Sequence, residues 1–232
     1  MIAALCRHYQ AHVRLNQEAR KVARHSGRFT ITCADGMVYG ADELFVSAPA
    51  YQAAAFLEDM SPALAGPLTQ IRYSPLAVVG LVFERKVFAA QPVGFGYLIP
   101  SGENKEALGV LWESNIFPNR CREGHILMRV MLGGARHPEI LSKSRDELIA
   151  CALAEVRSTL KLPLDAAPAE TFYVQWPQAI PQYDRVYVEV ERRLGEELKN
   201  WKGLHLVANY RNGVSLNDCI ENAYQAVQGS FG

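Results

Sequence analysis

The stretch Asn212-Gly213-Val214-Ser215-Leu216-Asn217-Asp218 is where residue types and spacing come nearest to chemistry. Ser215 can accept from the backbone three residues on, and Asp218 can reach back, the reciprocal pattern that opens a helix. A helix N-terminus presents unpaired N–H groups and about half a unit of positive charge, so it suits negative charge on a ligand. A plain turn before a capped helix accounts for the same residues. Elsewhere no motif announces a reaction: there is no G-x-S-x-G, H-E-x-x-H, P-loop or G-x-G-x-x-G. The six histidines are spread out, and each alone is more often a surface or core residue than a ligand or base. Cys6, Cys33, Cys121, Cys151 and Cys219 are odd in number with no C-x-x-C pair. That argues against a disulfide framework or zinc site and for a reducing compartment. No catalytic residue and no metal ligand is assigned.

The elements that must position such residues follow from periodicity. Ile2, Leu5, Tyr9 and Val13 recur at helical spacing, so a helix is expected first, turning into a strand near Val13. Phe29, Ile31 and Cys33 alternate as a strand, Asp35-Gly36 supplies a turn, and Met37 to Tyr39 returns. A strand over Glu43 to Ser47 precedes two short helices, the second opening at Ser61-Pro62. Further strands are predicted at Leu76 to Phe83, Phe95 to Ile99, Ala107 to Ser114, His125 to Leu132 and Phe172 to Trp176. Ser144 to Glu147 is a capping box for an amphipathic helix through Leu160. A helix over Asp184 to Leu198, a short strand at Leu204 to Ala208 and a helix from Ser215 to Val227 complete the chain. Frequent hairpins make the class α+β.

Composition narrows the partners. Lys plus Arg equal Asp plus Glu at 24 each, without dense blocks, which argues against nucleic acid. The longest apolar run, Leu76 to Phe83, is strand-sized and far short of the roughly 20 residues that span a bilayer. No transmembrane segment or signal peptide is expected, and a cytoplasmic location follows.

Several stretches, in order, resemble the protoporphyrinogen oxidases, within the flavin-containing amine oxidase superfamily. Ala41-Asp42-Glu43-Leu44-Phe45-Val46-Ser47-Ala48-Pro49 resembles the strand by which such flavoproteins return to their FAD domain. Leu76 to Glu84 resembles the strand that opens their substrate domain. Trp176-Pro177-Gln178-Ala179-Ile180-Pro181-Gln182-Tyr183 and the run Asn209 to Ile220 are the more specific matches. Phe117 to Arg120 and Gly133 to Glu139 add to them.

The resemblance implies a partial amine-oxidase-type flavoprotein, mainly the antiparallel sheet of the substrate domain plus C-terminal pieces of the FAD-binding domain. Residues 1–72 are then a late segment of the FAD-binding domain, 73–203 part of the substrate domain, and 204–232 the C-terminal FAD-domain strand and helix. It implies FAD contacts at Trp176, Gly213, Val214, Ser215 and Leu216, with Gly213 allowing close approach to the ring. Ala19 falls where the family usually has Val against the adenine, and Ala48 ends the returning strand. Leu98, Leu111 and Met131 fall where apolar residues surround the porphyrinogen. This sequence departs from the family's pattern in having Ala208 where Gly is usual and Val186-Tyr187 where a Gly-His pair is common.

The implied activity is oxidation of protoporphyrinogen IX to protoporphyrin IX with oxygen as acceptor, in haem or chlorophyll synthesis. The dinucleotide-binding turn would lie upstream, as would the region that attaches family members peripherally to membranes. The chain alone is therefore expected to be inactive, to bind FAD weakly or not at all, and to need the missing N-terminal half. Apolar surface bared by that absence predicts self-association into a homo-oligomer. A related amine oxidase or desaturase, and a non-catalytic tetrapyrrole- or partner-binding module, are the competing readings.

Overall fold

A computed structural model describes residues 2–10, 12–103 and 105–231. The chain forms two compact units, one of Met1–Arg72 with Pro181–Gly232 and one of Tyr73–Ile180. The second is an insertion between two segments of the first.

The first unit begins with α1 (Ile2–His8) and an antiparallel meander, β1 (Ala19–His25), β2 (Arg28–Cys33) and β3 (Val38–Ala41). The strand expected near Val13 starts instead at Ala19. In β1 only Val22 is buried, amid Arg20, Lys21, Arg24 and His25, so alternation hardly shows in its sequence. In β2 the expected alternation buries Phe29 and Cys33. The turn after it rests on Gly36 at φ 85° and on the Met37 N–H, which donates to Asp35 Oδ1 at 3.0 Å. β4 (Leu44–Val46), α2 (Ala50–Leu57) and α3 (Pro62–Thr69) follow. Ser61 caps α3, accepting from Leu64 N–H at 3.2 Å, with Pro62 at the position where a missing N–H costs nothing.

The second unit is a five-stranded sheet in the order β6-β7-β8-β5-β9. It comprises β5 (Tyr73–Glu84), β6 (Gly96–Leu98), β7 (Ala107–Trp112), the short helix α4 (Glu113–Ile116), β8 (His125–Gly133), α5 (Arg145–Leu160) and β9 (Glu170–Pro181). β5 to β8, β8 to β7 and β7 to β6 pair antiparallel. The capping box opens α5 as expected, with Ser144 N–H donating to Glu147 Oε2 at 2.7 Å and Glu147 N–H to Ser144 Oγ at 3.3 Å. Leu148, Ala152 and Val156 of α5 join Ala77, Val79 and Leu81 of β5 and Met128, Val130 and Leu132 of β8 in one core. Each large side chain buried there contributes about 1.5–3 kcal/mol. The strand expected to Ser114 stops at Trp112, because Glu113 turns inward to begin α4. β9 runs on past Trp176 through Pro177 to Pro181, which its place at the sheet edge tolerates.

The chain then re-enters the first unit with α6 (Arg185–Leu198), β10 (Leu204–Leu206) and α7 (Leu216–Phe231). Asp184 caps α6 through Val186 and Tyr187, and Val190 and Leu194 are fully buried as α6 packs against α3. Residues 181–203 thus cluster with the first unit, where the resemblance implies a substrate domain over 73–203. β10 pairs in parallel with β4. Among the described residues no helix is long and apolar enough to cross a membrane.

Candidate functional site

In the first unit the loop 209–215 is held on every side before it enters α7. Tyr183 Oη donates to the Asn209 carbonyl at 2.7 Å and accepts from the Gly213 N–H at 3.1 Å. Tyr187 Oη donates to the Tyr210 carbonyl at 2.8 Å, and Arg211 Nε donates to Glu191 Oε1 at 2.9 Å. Asn222 Nδ2 donates to the Arg211 carbonyl at 2.9 Å. Asn212 and Gly213 both carry positive φ, 54° and 137°. A Cβ on Gly213 would stand 2.5 Å from Asp218 Cγ, so what excludes a side chain here is the carboxylate folded back over the turn.

That carboxylate belongs to the cap. Ser215 N–H donates to Asp218 Oδ2 at 3.0 Å, and Asp218 N–H donates to Ser215 Oγ at 3.1 Å. Hydrogen bonding from the Ser215 side chain and then its backbone holds the Asp218 carboxyl below the usual aspartate value. The N–H groups of Leu216 and Asn217 donate to no group among the described residues. Side chains of Val214 and Leu216 are exposed beside them. Unclaimed amides at a helix start can accept a ligand bearing negative charge.

Also in this unit, Ala19 and Ala48 line a single cavity of about 480 Å³ with Tyr51 and Phe56. Ala19 opens β1, and Ala48 lies just past the end of β4.

In the second unit Leu98, Leu111 and Met131 share the sheet face opposite α5. Leu98, Gly109, Met131 and Val78 form one row across four strands, and Gly96, Leu111, Arg129 and Gly80 form the next. Two glycines on it let neighbouring side chains pack close to the backbone. A Cβ on Gly109 would lie 2.7 Å from the Tyr97 carbonyl oxygen and 3.1 Å from Leu98 Cδ2; one on Gly80 would lie 3.2 Å from Phe172 Cδ2. On β9, Tyr173 packs into the core, so the alternating Phe172, Val174 and Trp176 lie on the open face, all exposed. Phe172, Val174 and the two glycines escaped the reading of the sequence; an alternating Phe-x-Val-x-Trp run was their signal.

The ten residues singled out from the sequence therefore fall in three places: the start of α7, the Ala19–Ala48 cavity, and the open sheet face carrying Trp176. A model of the flavin containing amine oxidoreductases matches residues 1–229. The chain belongs to that family.

Within this amine oxidoreductase family, the chain is 31% identical over 211 residues to protoporphyrinogen oxidase 1, chloroplastic, of Arabidopsis thaliana, covering 86% of this chain and 39% of the relative. It is 25% identical to coproporphyrinogen III oxidase of Bacillus subtilis, covering 88% and 43%. A crystal structure from Exiguobacterium sp. 255-15, provisionally assigned as a protoporphyrinogen oxidase, superposes with a TM-score of 0.80 at 19% identity, covering 98% and 50%. That likeness establishes the fold. The chain spans less than half the length of the curated relatives it matches.

Proposed function

We propose that this chain is the C-terminal part of an FAD-dependent protoporphyrinogen oxidase that converts protoporphyrinogen IX to protoporphyrin IX, and that the open sheet face is the wall against which the tetrapyrrole lies. The observation that carries the reading is the pair of adjacent rows that bring Leu98, Met131 and Leu111 onto one open face. A flat, largely apolar ligand needs a flat apolar wall more than polar chemistry. Leu98 is 77% exposed, so it gains apolar contact only when something covers it.

The residues present fit a flavin. Unclaimed N–H groups of Leu216 and Asn217 begin α7, and Ser215 with Asp218 fixes their direction. Gly213, Val214, Ser215 and Leu216 would hold the ring end, and Ala19 with Ala48 would flank the more distant part. When bound, the flavin supplies the two-electron oxidations, with oxygen as final acceptor. The protein's share is placement: the sheet face orients the macrocycle and the α7 amides favour negative charge. Without the residues of the relatives that this chain lacks, the reading predicts weak FAD binding, no turnover and self-association. A cytoplasmic setting, with the complete enzyme peripheral at a membrane, fits five free cysteines and the lack of a spanning helix among the described residues.

The test is a visible absorption spectrum after adding excess FAD and desalting, followed by titration with protoporphyrin IX while reading tryptophan emission. Saturable quenching that Trp176→Phe diminishes is expected. Absence of any porphyrin binding would remove the tetrapyrrole reading. A retained flavin band would show a usable cofactor site in this chain alone.

A further inference from the structure

In the first unit β10 is a buried strand that pairs on one side. Leu204 and Leu206 are 4% and 7% exposed, yet the sheet holds two strands, β10 and β4. Leu44 N–H donates to the Gly203 carbonyl at 2.7 Å, and Val207 N–H donates to the Val46 carbonyl at 2.8 Å. Peptide groups alternate in direction along a strand, so residues 203, 205 and 207 serve β4 while Leu204 and Leu206 turn to the opposite edge. There the Trp201 carbonyl takes the Leu204 N–H at 2.9 Å. The Leu206 N–H and the carbonyls of Leu204 and Leu206 meet no partner among the described residues. Buried peptide groups are almost always paired. An edge with neither proline nor bulge is a ready template for another strand.

A cavity of about 640 Å³ touches Leu204, His205 and Leu206 in succession and no residue of β4. Side chains of successive strand residues point to opposite faces, so a space meeting all three follows the open edge. Leu198 of α6 and Ala226 of α7 also line it, and Ser230 Oγ of α7 meets His205 Nε2 at 2.8 Å. Two further liners are glycines inside helices, Gly195 in α6 and Gly229 in α7. Neither has positive φ, and a Cβ on either would meet nothing within 4 Å. Each costs its helix about 0.5–1 kcal/mol relative to Ala, with no return inside this chain. Two such glycines facing one cavity make sense where a backbone from outside comes close to both helices.

We infer that this cavity is a slot for one extended apolar segment of a second polypeptide, which adds to the open edge of β10 as a third strand and packs against Gly195 and Gly229. Main-chain bonds to Leu204 and Leu206 give such a segment its affinity, and the alternate pockets on either side of β10 select its side chains. Parallel strands covered on both faces favour Val and Ile, so the segment is uncharged and β-branched where it enters. The relatives carry more than half their length outside the part this chain matches, which is the length such a strand can come from. On the function proposed above, the second polypeptide is the remainder of the flavoenzyme, and the inference rests on that reading for the partner's identity alone.

The experiment co-expresses the intact chain, carrying a purification tag, with the part of Arabidopsis thaliana protoporphyrinogen oxidase 1 that it does not match. Co-purification is expected, with amide exchange at Leu206 slowed about tenfold or more relative to the chain alone. Gly195→Ala and Gly229→Ala, made singly, should each cut the amount co-purified about tenfold by filling the slot. Neither should lower the urea midpoint of the chain alone, so lost binding is not lost folding. A complex in which Leu206 exchanges as fast as before, or co-purification undiminished by both variants, overturns the slot. Leu206 protection that rises with the concentration of this chain alone assigns the edge to a second copy and overturns the partner. If no complex forms the slot falls, while the flavoenzyme reading stands or falls separately on the porphyrin titration.

Discussion

Tyr183 and Gly213 are joined through one oxygen: the phenol accepts the Gly213 N–H at 3.1 Å while giving its own proton to the Asn209 carbonyl at 2.7 Å. The two most specific sequence stretches, Trp176 to Tyr183 and Asn209 to Ile220, therefore meet at a single hydroxyl. The edge of the Tyr187 ring system steadies it, the two ring centres being 4.3 Å apart. Tyr183→Phe keeps the packing and removes both bonds. The expected loss is about 1 kcal/mol for each bond, or less where water substitutes. Hydrogen exchange should quicken at Gly213 and along the first turn of α7, and exchange unchanged there would contradict the account.

Two glycine substitutions should act with opposite sign. Gly213→Ala places a Cβ against Asp218 at positive φ and should cost about 1–3 kcal/mol. Gly195→Ala, inside α6 with open space around its would-be Cβ, should stabilise by about 0.5–1 kcal/mol. Urea unfolding midpoints moving apart in these directions is the check.

Acid should loosen two helix starts. Arg72, the largest influence, lowers the carboxyl of Asp184, and Ser215 lowers that of Asp218. Since both are depressed in the folded state, their contribution is complete above the ordinary value of about 4 and lost as pH falls through the lower folded-state value. Helical ellipticity should drop below about pH 4. Asp184→Asn with Asp218→Asn should flatten that acid limb while leaving the neutral-to-alkaline range level. An unaltered limb in the double variant would place the acid sensitivity elsewhere.

The two faces of the sheet should respond differently to truncation. Leu81, fully buried against α5, should cost about 2–5 kcal/mol on change to Ala. Leu98→Ala, on the open face, should alter stability by no more than about 0.5 kcal/mol. If a tetrapyrrole covers Leu98, its loss should weaken porphyrin affinity severalfold. Paired denaturation and binding curves separate these effects, and an unchanged affinity would move the ligand off this row.

Where local chemistry decides structure, the sequence could be read directly. Ser144 and Glu147 specify the start of α5, Ser61-Pro62 that of α3, and Asp35-Gly36 the turn after β2. β1 escaped because a strand that buries one residue among four basic ones has no visible alternation. Leu98, Leu111 and Met131 were named through a family resemblance, but their common face depends on a register shift between Ala107 and Gly109. A slip of one residue reverses every side chain, so no local pattern could have revealed it.

The parallel pairing of β4 with β10 sets a schedule for biosynthesis. Its two halves are roughly 160 residues apart in the chain, so a ribosome making about 5–20 residues each second separates them by many seconds. The inserted unit, contiguous over Tyr73–Ile180, can complete itself within that interval. The first unit cannot: the pairing of β4 with β10 must wait until β10 emerges. A chaperone that shields strand edges would find its substrate in that pause, and interruption of synthesis after Ile180 should yield a species with one unit formed and the other still searching for its partner strand.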